Sequence, residues 1–245
     1  MDSVISVVNG FFTPLKEPLN QKADEGFSSA FFYLNSRVAQ DRGQIRKRRG
    51  EVGVRDLKMI NRLVTPTGGR VLLDGQDTAT LDVVRLRRSI GYVVQGAGLF
   101  PHLSVADNVS LMARAEGWPP SRITPRVLEL LGLVRLDADH FSHRYPGELS
   151  GGQQQRVGVA RALMLDPPLI LMDEPFGALD PITRHEIQQE FVDVRKRLGK
   201  TLVFVTHDLT EALRMADQIG VMNRGSLEQL GPADVVWRQP ATDFV

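Results

Sequence analysis

Three short apolar runs end in polar side chains: IGYVVQ at 90–95, LILMDE at 169–174 and LVFVTHD at 202–208. Between them, and between two further runs at 70–73 and 218–222, lie stretches whose apolar residues recur at helical spacing. Strands that alternate with helices build a mostly parallel sheet, because parallel neighbours need a crossover to join them. A continuous apolar run is also what a strand buried on both faces requires. The chain therefore reads as an α/β protein with strands over 70–73, 90–94, 169–172, 202–206 and 218–222. From 104 to 133 the alternation stops, since SVADNVSLMARAEG and ITPRVLELLGL are both helical in period with no strand between them. This stretch reads as a helical insertion, part of a subdomain over about 100–150.

Upstream of Leu57 the texture changes. Residues 1–56 show no sustained alternation and end in an Arg/Gly-rich run, so they form an atypical N-terminal segment apart from the domain at 57–245. RKRR at 46–49 reads as a solvated charged stretch, with a nucleic-acid or lipid patch as the alternative. A net charge of +1 gives no general reason to expect nucleic acid, and 42% hydrophobic residues in a 245-residue chain suffice for a soluble globular core. The chain has no cysteine, which excludes disulfides, thiolate metal sites and a cysteine nucleophile. VISVVNGFF is far shorter than the roughly 20 residues a membrane span needs, and Asp2 stands where a signal peptide is basic. Neither a membrane span nor an export signal is expected.

The strongest chemical signal is LSGGQQQRVGVARAL at 149–163. Ser150 is placed to cap a helix, and Gly151 and Gly152 allow backbone N–H groups to approach a ligand at the positive end of the helix dipole. A phosphate suits that position, although an ordinary helix start has the same composition. Asp173 and Glu174 then close an apolar strand. Successive residues at a strand end point in different directions, so one carboxylate can hold Mg²⁺ while the other addresses a water. His207 and Gln95 each end a strand at the edge where ligands of open α/β sheets gather. Taken singly, each is equally a surface histidine or a loop-capping amide.

In this order and spacing, Gln95, LSGGQ, LILMDEP, ALD and THD resemble the nucleotide-binding domain of ATP-binding cassette (ABC) transporters, over roughly 57–245. More narrowly, LKMINRL, GAGLFPHLSVADNV, YPGELSGGQQQRVGVARAL and MDEPFGALDPITR are similar to importers of glycine betaine, choline and related osmoprotectants. The resemblance implies an ABC-type P-loop NTPase fold, with ATP and Mg²⁺ as cofactors. It implies that Asp173 and Gln95 attend Mg²⁺, that Glu174 is the general base and that His207 contacts the γ-phosphate. Ser150, Gly151, Gly152 and Gln153 would bind ATP held by a second nucleotide-binding subunit, and Asp180 would communicate across that dimer. GAGLFPHLSV matches the surface that meets a membrane permease, which places the protein in the cytoplasm, peripheral on the inner face of the membrane. Two alternatives are a noncatalytic partner that lends its LSGGQ face to an intact ATPase, and a soluble cassette ATPase of DNA repair or translation. The single cassette and the permease-facing segment speak against the latter.

One part of that pattern is missing. The family's G-x-x-x-x-G-K-[ST] loop cradles the phosphates with backbone N–H groups and should lie just before LKMINRL. GEVGVRD stands there instead, with Gly50 and Gly53 too close together, Lys58 following no glycine and Met59 lacking a hydroxyl. LGKT at 198–201 is a decoy, with Val194 in the place of the first glycine and a strand following it. Charge-assisted hydrogen bonds contribute about 1.5–3 kcal/mol each, so losing three or four removes on the order of 5 kcal/mol. Millimolar to micromolar binding totals only about 4–8 kcal/mol, which sets the family's ATPase activity against this chain's own sequence. Nor does 1–56 show a clear replacement for the strands the family places before the loop, so open strand edges and low solubility are expected.

Two explanations stand: a real degenerate N-terminus, or a change of reading frame before Leu57. VGVRD can be encoded as GTC GGG GTG CGG GAC, and the same DNA read one base later gives Ser-Gly-Cys-Gly, the family's loop up to its lysine. The frame explanation predicts a missing or extra base between the codons for Gln44 and Leu57, with Gly-Cys-Gly-Lys-Thr in the restored frame. Resequencing the coding DNA checks it, and an unbroken frame there leaves the degenerate subunit.

Overall fold

The computed structural model describes residues 4–8, 11–14, 30–35, 57–66, 70–177, 179–223 and 226–245, the first three of these stretches by backbone alone. In chain order the elements begin with β1 (Val4–Val8), β2 (Phe11–Pro14), β3 (Ala30–Asn35), β4 (Arg70–Leu73), β5 (Gln76–Asp77), α1 (Val83–Arg88) and β6 (Ile90–Val93). Next come α2 (Val105–Ala115), α3 (Pro120–Leu133), α4 (Ala138–Phe141), α5 (Gly151–Ala162), β7 (Leu169–Asp173) and α6 (Pro181–Leu198). The last are β8 (Thr201–Thr206), α7 (Leu209–Met215), β9 (Gln218–Asn223), β10 (Ser226–Pro232) and α8 (Ala233–Arg238). The chain divides into two compact units, one of residues 1–87 with 201–245 and one of residues 88–200.

In the first unit, β1 pairs antiparallel with β2 and parallel with β4, which pairs antiparallel with β5. In a second set, β3 lies parallel to both β8 and β9, and β10 closes antiparallel on β9. In the second unit, β6 and β7 pair in parallel with Ile90 opposite Leu169 and Val93 opposite Met172. Each of the five expected strands is present to within one residue at either end. β7 and β8 are the clearest because they are buried on both faces: Ile170, Leu171 and Met172 are wholly buried in β7, and Leu202 to Val205 nearly so in β8.

The expectation of open strand edges is corrected here. β3 pairs along one side with β8, from Ala30 opposite Leu202 to Leu34 opposite Thr206, and along the other with β9. AFFYLN shows no polar alternation of its own, and its polar surroundings mask so short an apolar run. Of residues 1–56 only β1, β2 and β3 are described. GEVGVRD, the place of the missing loop, and RKRR lie outside the described residues.

The helical insertion consists of α2 and α3, as its two periodic runs suggested. Ser104 caps α2, its hydroxyl accepting from Asp107 N–H, and the Val105 and Ala106 N–H groups donate to the carbonyls of Arg144 and Ser142. These contacts satisfy donors that a helix start would otherwise leave unpaired. The Ser104 hydroxyl, with Arg114 nearby, holds the Asp107 carboxyl below its usual range.

Asn108, entirely buried in α2, shapes the loop that precedes the helix. Its amide donates to the carbonyls of Phe100 (3.1 Å), Leu103 (3.0 Å) and Ser104 (3.0 Å), and its Oδ1 accepts from Phe100 N–H (2.8 Å). The segment from Phe100 to Ser104 is thus pinned by one side chain while Phe100 stays 43% exposed. Replacing Asn108→Ala would strand buried backbone groups at both ends of the loop, lowering unfolding stability by about 2–4 kcal/mol. Urea denaturation measures this loss.

Candidate functional site

Parallel pairing of β6 and β7 delivers Gln95 and Glu174 to the same sheet edge, and their side chains meet. Gln95 Nε2 donates to Glu174 Oε2 at 2.9 Å, across 79 residues of sequence. Glu174 takes a left-handed backbone (φ 41°), uncommon for a side chain of this kind, as the chain leaves β7 and turns through Pro175 to Gly177. Asp173, just before Glu174, ends β7 on the face it shares with Leu171. Tyr92 opposes Leu171 and so shares that face with Asp173. Burial, reinforced by the Asp173 charge, pushes the Tyr92 phenol up to about 12, which keeps it a neutral donor beside the carboxylate.

The turn after Gln95 is strained and firmly held. Gly96, Ala97 and Gly98 follow one another at positive φ (69°, 62° and 51°), and Ala97, unlike the glycines, bears a side chain there. Arg161, on α5, donates from Nη2 to the Ala97 carbonyl at 2.7 Å and from Nη1 to the Gly98 carbonyl at 2.9 Å. Burial lowers the pKa of the guanidinium, and the group also lies 6.0 Å from the Phe100 ring centre. A fork of two fixed donors is what arginine supplies and lysine does not. Sequence reading missed Arg161, because its partners are backbone carbonyls more than 60 residues away.

The LSGGQ segment is a helix start, with Ser150 as N-cap of α5. The Ser150 hydroxyl accepts from Gln153 N–H (3.3 Å) and Gln153 Oε1 accepts from Ser150 N–H (2.9 Å), a reciprocal capping box. The two glycines differ in purpose. Gly151 is exposed, whereas a Cβ on buried Gly152 would come within 2.3 Å of Ile187 Cδ1 and 3.1 Å of Thr183 Cγ2. Gly152 therefore lets α5 and α6 pack closely, and Gly151 keeps the exposed side of the helix start open. Across the same pair of helices Arg156 forms an ion pair with Glu190. Asp180 caps α6, accepting from Ile182 and Thr183 N–H, and bonding to Thr183 holds its carboxyl below the usual range.

These residues share the second unit. His207 belongs to the first unit, where it follows β8 and stands exposed between Thr206 and Asp208. LGKT is structural: Gly199 ends α6, Lys200 pairs with Asp166 at 3.1 Å and Thr201 opens β8.

The donor set fits Mg²⁺, a hard cation that takes one or two carboxylates and keeps waters and substrate phosphates as its other ligands. Asp173, Glu174 and the Gln95 amide offer oxygen donors at one edge. Among the described residues no group of three or more His, Cys, Asp or Glu gathers to hold a metal, so an ion here would draw on water and phosphate. None of the described helices is long and apolar enough to cross a membrane.

The family model for ABC transporter matches residues 56–177. The chain is 50% identical over 189 residues to the osmoprotectant import ATP-binding protein OsmV of Salmonella typhimurium, covering 77% of this chain and 50% of that protein. It is 52% identical over 189 residues to the glycine betaine/carnitine/choline transport ATP-binding protein OpuCA of Bacillus subtilis, with the same 77% and 50% coverage. The chain thus spans about half the length of these curated relatives. A solved dimer of the ATP-binding cassette MJ0796, bound to ADP and Pi, superposes with a TM-score of 0.68 and 32% identity over 84% of this chain and 85% of that one.

The Arg161 clamp makes a prediction. Arg161→Met keeps the side chain's length but removes both donors, so stability should fall by about 2–3 kcal/mol. Amide exchange at Ala97 and Gly98, whose N–H groups bond to Val94 and Gly96 carbonyls, should quicken beyond the change elsewhere in the second unit. Hydrogen exchange read by NMR separates the local loosening from the general loss.

Proposed function

Because this chain belongs to the ATP-binding cassette family of ABC transporters, we propose that it is the ATP-binding subunit of an importer of osmoprotectants such as glycine betaine or choline. The observation that carries the reading is the Gln95–Glu174 hydrogen bond, which assembles the metal-attending amide and the general base at one sheet edge. In this reading Asp173 and Gln95 hold Mg²⁺, Glu174 takes a proton from the attacking water and His207 contacts the terminal phosphate. Bound Mg·ATP would supply the phosphoryl chemistry, while the chain's residues orient, hydrogen-bond and move the proton. Two cassettes would dock on a permease at the cytoplasmic face of the membrane, with Phe100 to Leu103 as the contact. The exposed Phe100 ring and the Asn108 pins beneath it support that assignment. For the solute, the support is about 50% identity to relatives whose names specify osmoprotectants, glycine betaine, carnitine or choline.

A second reading is favoured by one specific feature, the absence of G-x-x-x-x-G-K-[ST] from the printed sequence. In that reading the chain is a noncatalytic partner whose Ser150 to Gln153 face closes over ATP held by an intact subunit. The well-formed start of α5 supports it too, since a helix N-terminus favours an anion.

Reconstitution distinguishes the two. The importer reading expects ATP-dependent uptake of labelled glycine betaine into vesicles holding the permease and this chain, once the loop before Leu57 is restored. The partner reading expects ATP hydrolysis by the chain as printed only when an intact cassette subunit is added. Ser150→Ala in this chain should then lower that hydrolysis roughly tenfold or more, the worth of one charge-assisted hydrogen bond.

A further inference from the structure

We infer that Glu211, a buried carboxylate on α7, is a positioning residue for His207, acting through the hydroxyl of Thr206. The inference rests on the family's use of His207 at the terminal phosphate and adds a residue to it. Glu211 is only 3% exposed and Thr206 only 2%. Thr206 Oγ1 donates to Glu211 Oε2 at 2.5 Å, within the short range of a hydroxyl bonded to an ionised carboxylate. The same Oγ1 accepts from Asp208 N–H at 3.1 Å. His207 is the residue spanned by that bond, so its backbone is enclosed in a turn whose far side is the Thr206 hydroxyl.

Asp208 completes the enclosure. Its Oδ1 accepts from Thr210 N–H (2.8 Å) and Glu211 N–H (3.4 Å), which fixes it as the N-cap of α7. Glu211 is then the third residue of the helix, where a glutamate ordinarily reaches back to the capping residue's own N–H. Here the Asp208 N–H is given to Thr206, and the Glu211 carboxylate takes the Thr206 proton instead. One chain of bonds, Glu211 to Thr206 to Asp208 to the Glu211 N–H, thus closes around the single exposed side chain of His207.

Energetics favour a role over simple packing. Burying a carboxylate costs hydration that an apolar residue of similar volume would not forfeit. With its proton committed to Glu211, the Thr206 hydroxyl has a fixed direction and can only accept from Asp208. A histidine that must meet a phosphate oxygen benefits from that fixity, since small misplacements of a reacting group are expensive.

The test reads His207 directly and needs no nucleotide. The full chain, labelled at histidine Cε1, carries 5 histidines, and His207→Asn assigns the His207 signal. Expected results are a displaced and narrowed His207 resonance in Thr206→Val and Glu211→Ala, with the other histidine signals unmoved. Thr206→Ser and Glu211→Gln, which keep the hydroxyl and an acceptor oxygen, should restore the wild-type signal. A His207 resonance unchanged in both Thr206→Val and Glu211→Ala overturns the inference, as does equal displacement in the conservative variants. Should Glu211→Ala fail to fold, Thr206→Val and Thr206→Ser decide alone. Reconstituted transport and ATP hydrolysis test the family role separately, so the clamp can fail while that role stands, or the reverse.

Discussion

Burial of parallel strands on both faces is the constraint from which the site follows. Such a strand has no solvated face on which to carry a polar side chain, so chemistry appears only where the strand ends. β6, β7 and β8 follow this rule, passing from largely buried, mostly apolar residues to Gln95, to Asp173 and Glu174, and to His207. Pairing Val93 with Met172 in register then decides that Gln95 and Glu174 emerge together. A slip of one residue would turn every side chain of one strand to the opposite face and part the two groups.

What surrounds each reactive group is backbone held by an unusual side chain. The left-handed turn after Gln95 is secured by the Arg161 fork, and the loop from Phe100 to Ser104 by the Asn108 amide. Both devices are buried or half-buried polar groups that bond mainly to carbonyls. Folding them costs hydration, and the return is a loop whose shape hardly varies. Arg161 and Gly152 belong to the same helix as Ser150, so the element that presents the LSGGQ face also holds the turn behind Gln95. That shared helix is a physical link between the Ser150 end of α5 and the turn that follows Gln95 in the second unit.

Much of this was legible in the sequence because it is local. Runs such as LILM can satisfy themselves only as buried strands, and Ser150 with Gln153 spells its own capping box. The Gln95–Glu174 contact was legible only as a pattern, since nothing local joins residues 79 apart. Arg161, Asn108 and the Glu211–Thr206 bond were not legible, for their partners are main-chain atoms or a residue whose role looked already spent. An arginine in a helix and an asparagine after a cap are ordinary in composition. Likewise β3 offered six residues without alternation, and its pairing with both β8 and β9 depends on chain far downstream.

The missing phosphate loop weighs differently once these details are known. A subunit that only lends its LSGGQ face needs Ser150 to Gln153 and the α5 and α6 packing behind them. It has no use for Glu174 held at a strained φ of 41°, for the Gln95 amide bonded to it, or for a buried carboxylate bonded to Thr206. Each of these costs folding free energy that apolar or unstrained residues would not. The match to the family, meanwhile, begins at residue 56 and the relatives align over 189 residues at about 50% identity. Slow decay of a subunit spreads substitutions through the machinery as well as the loop. One change of reading frame, by contrast, alters the chain on one side of a point and spares the other.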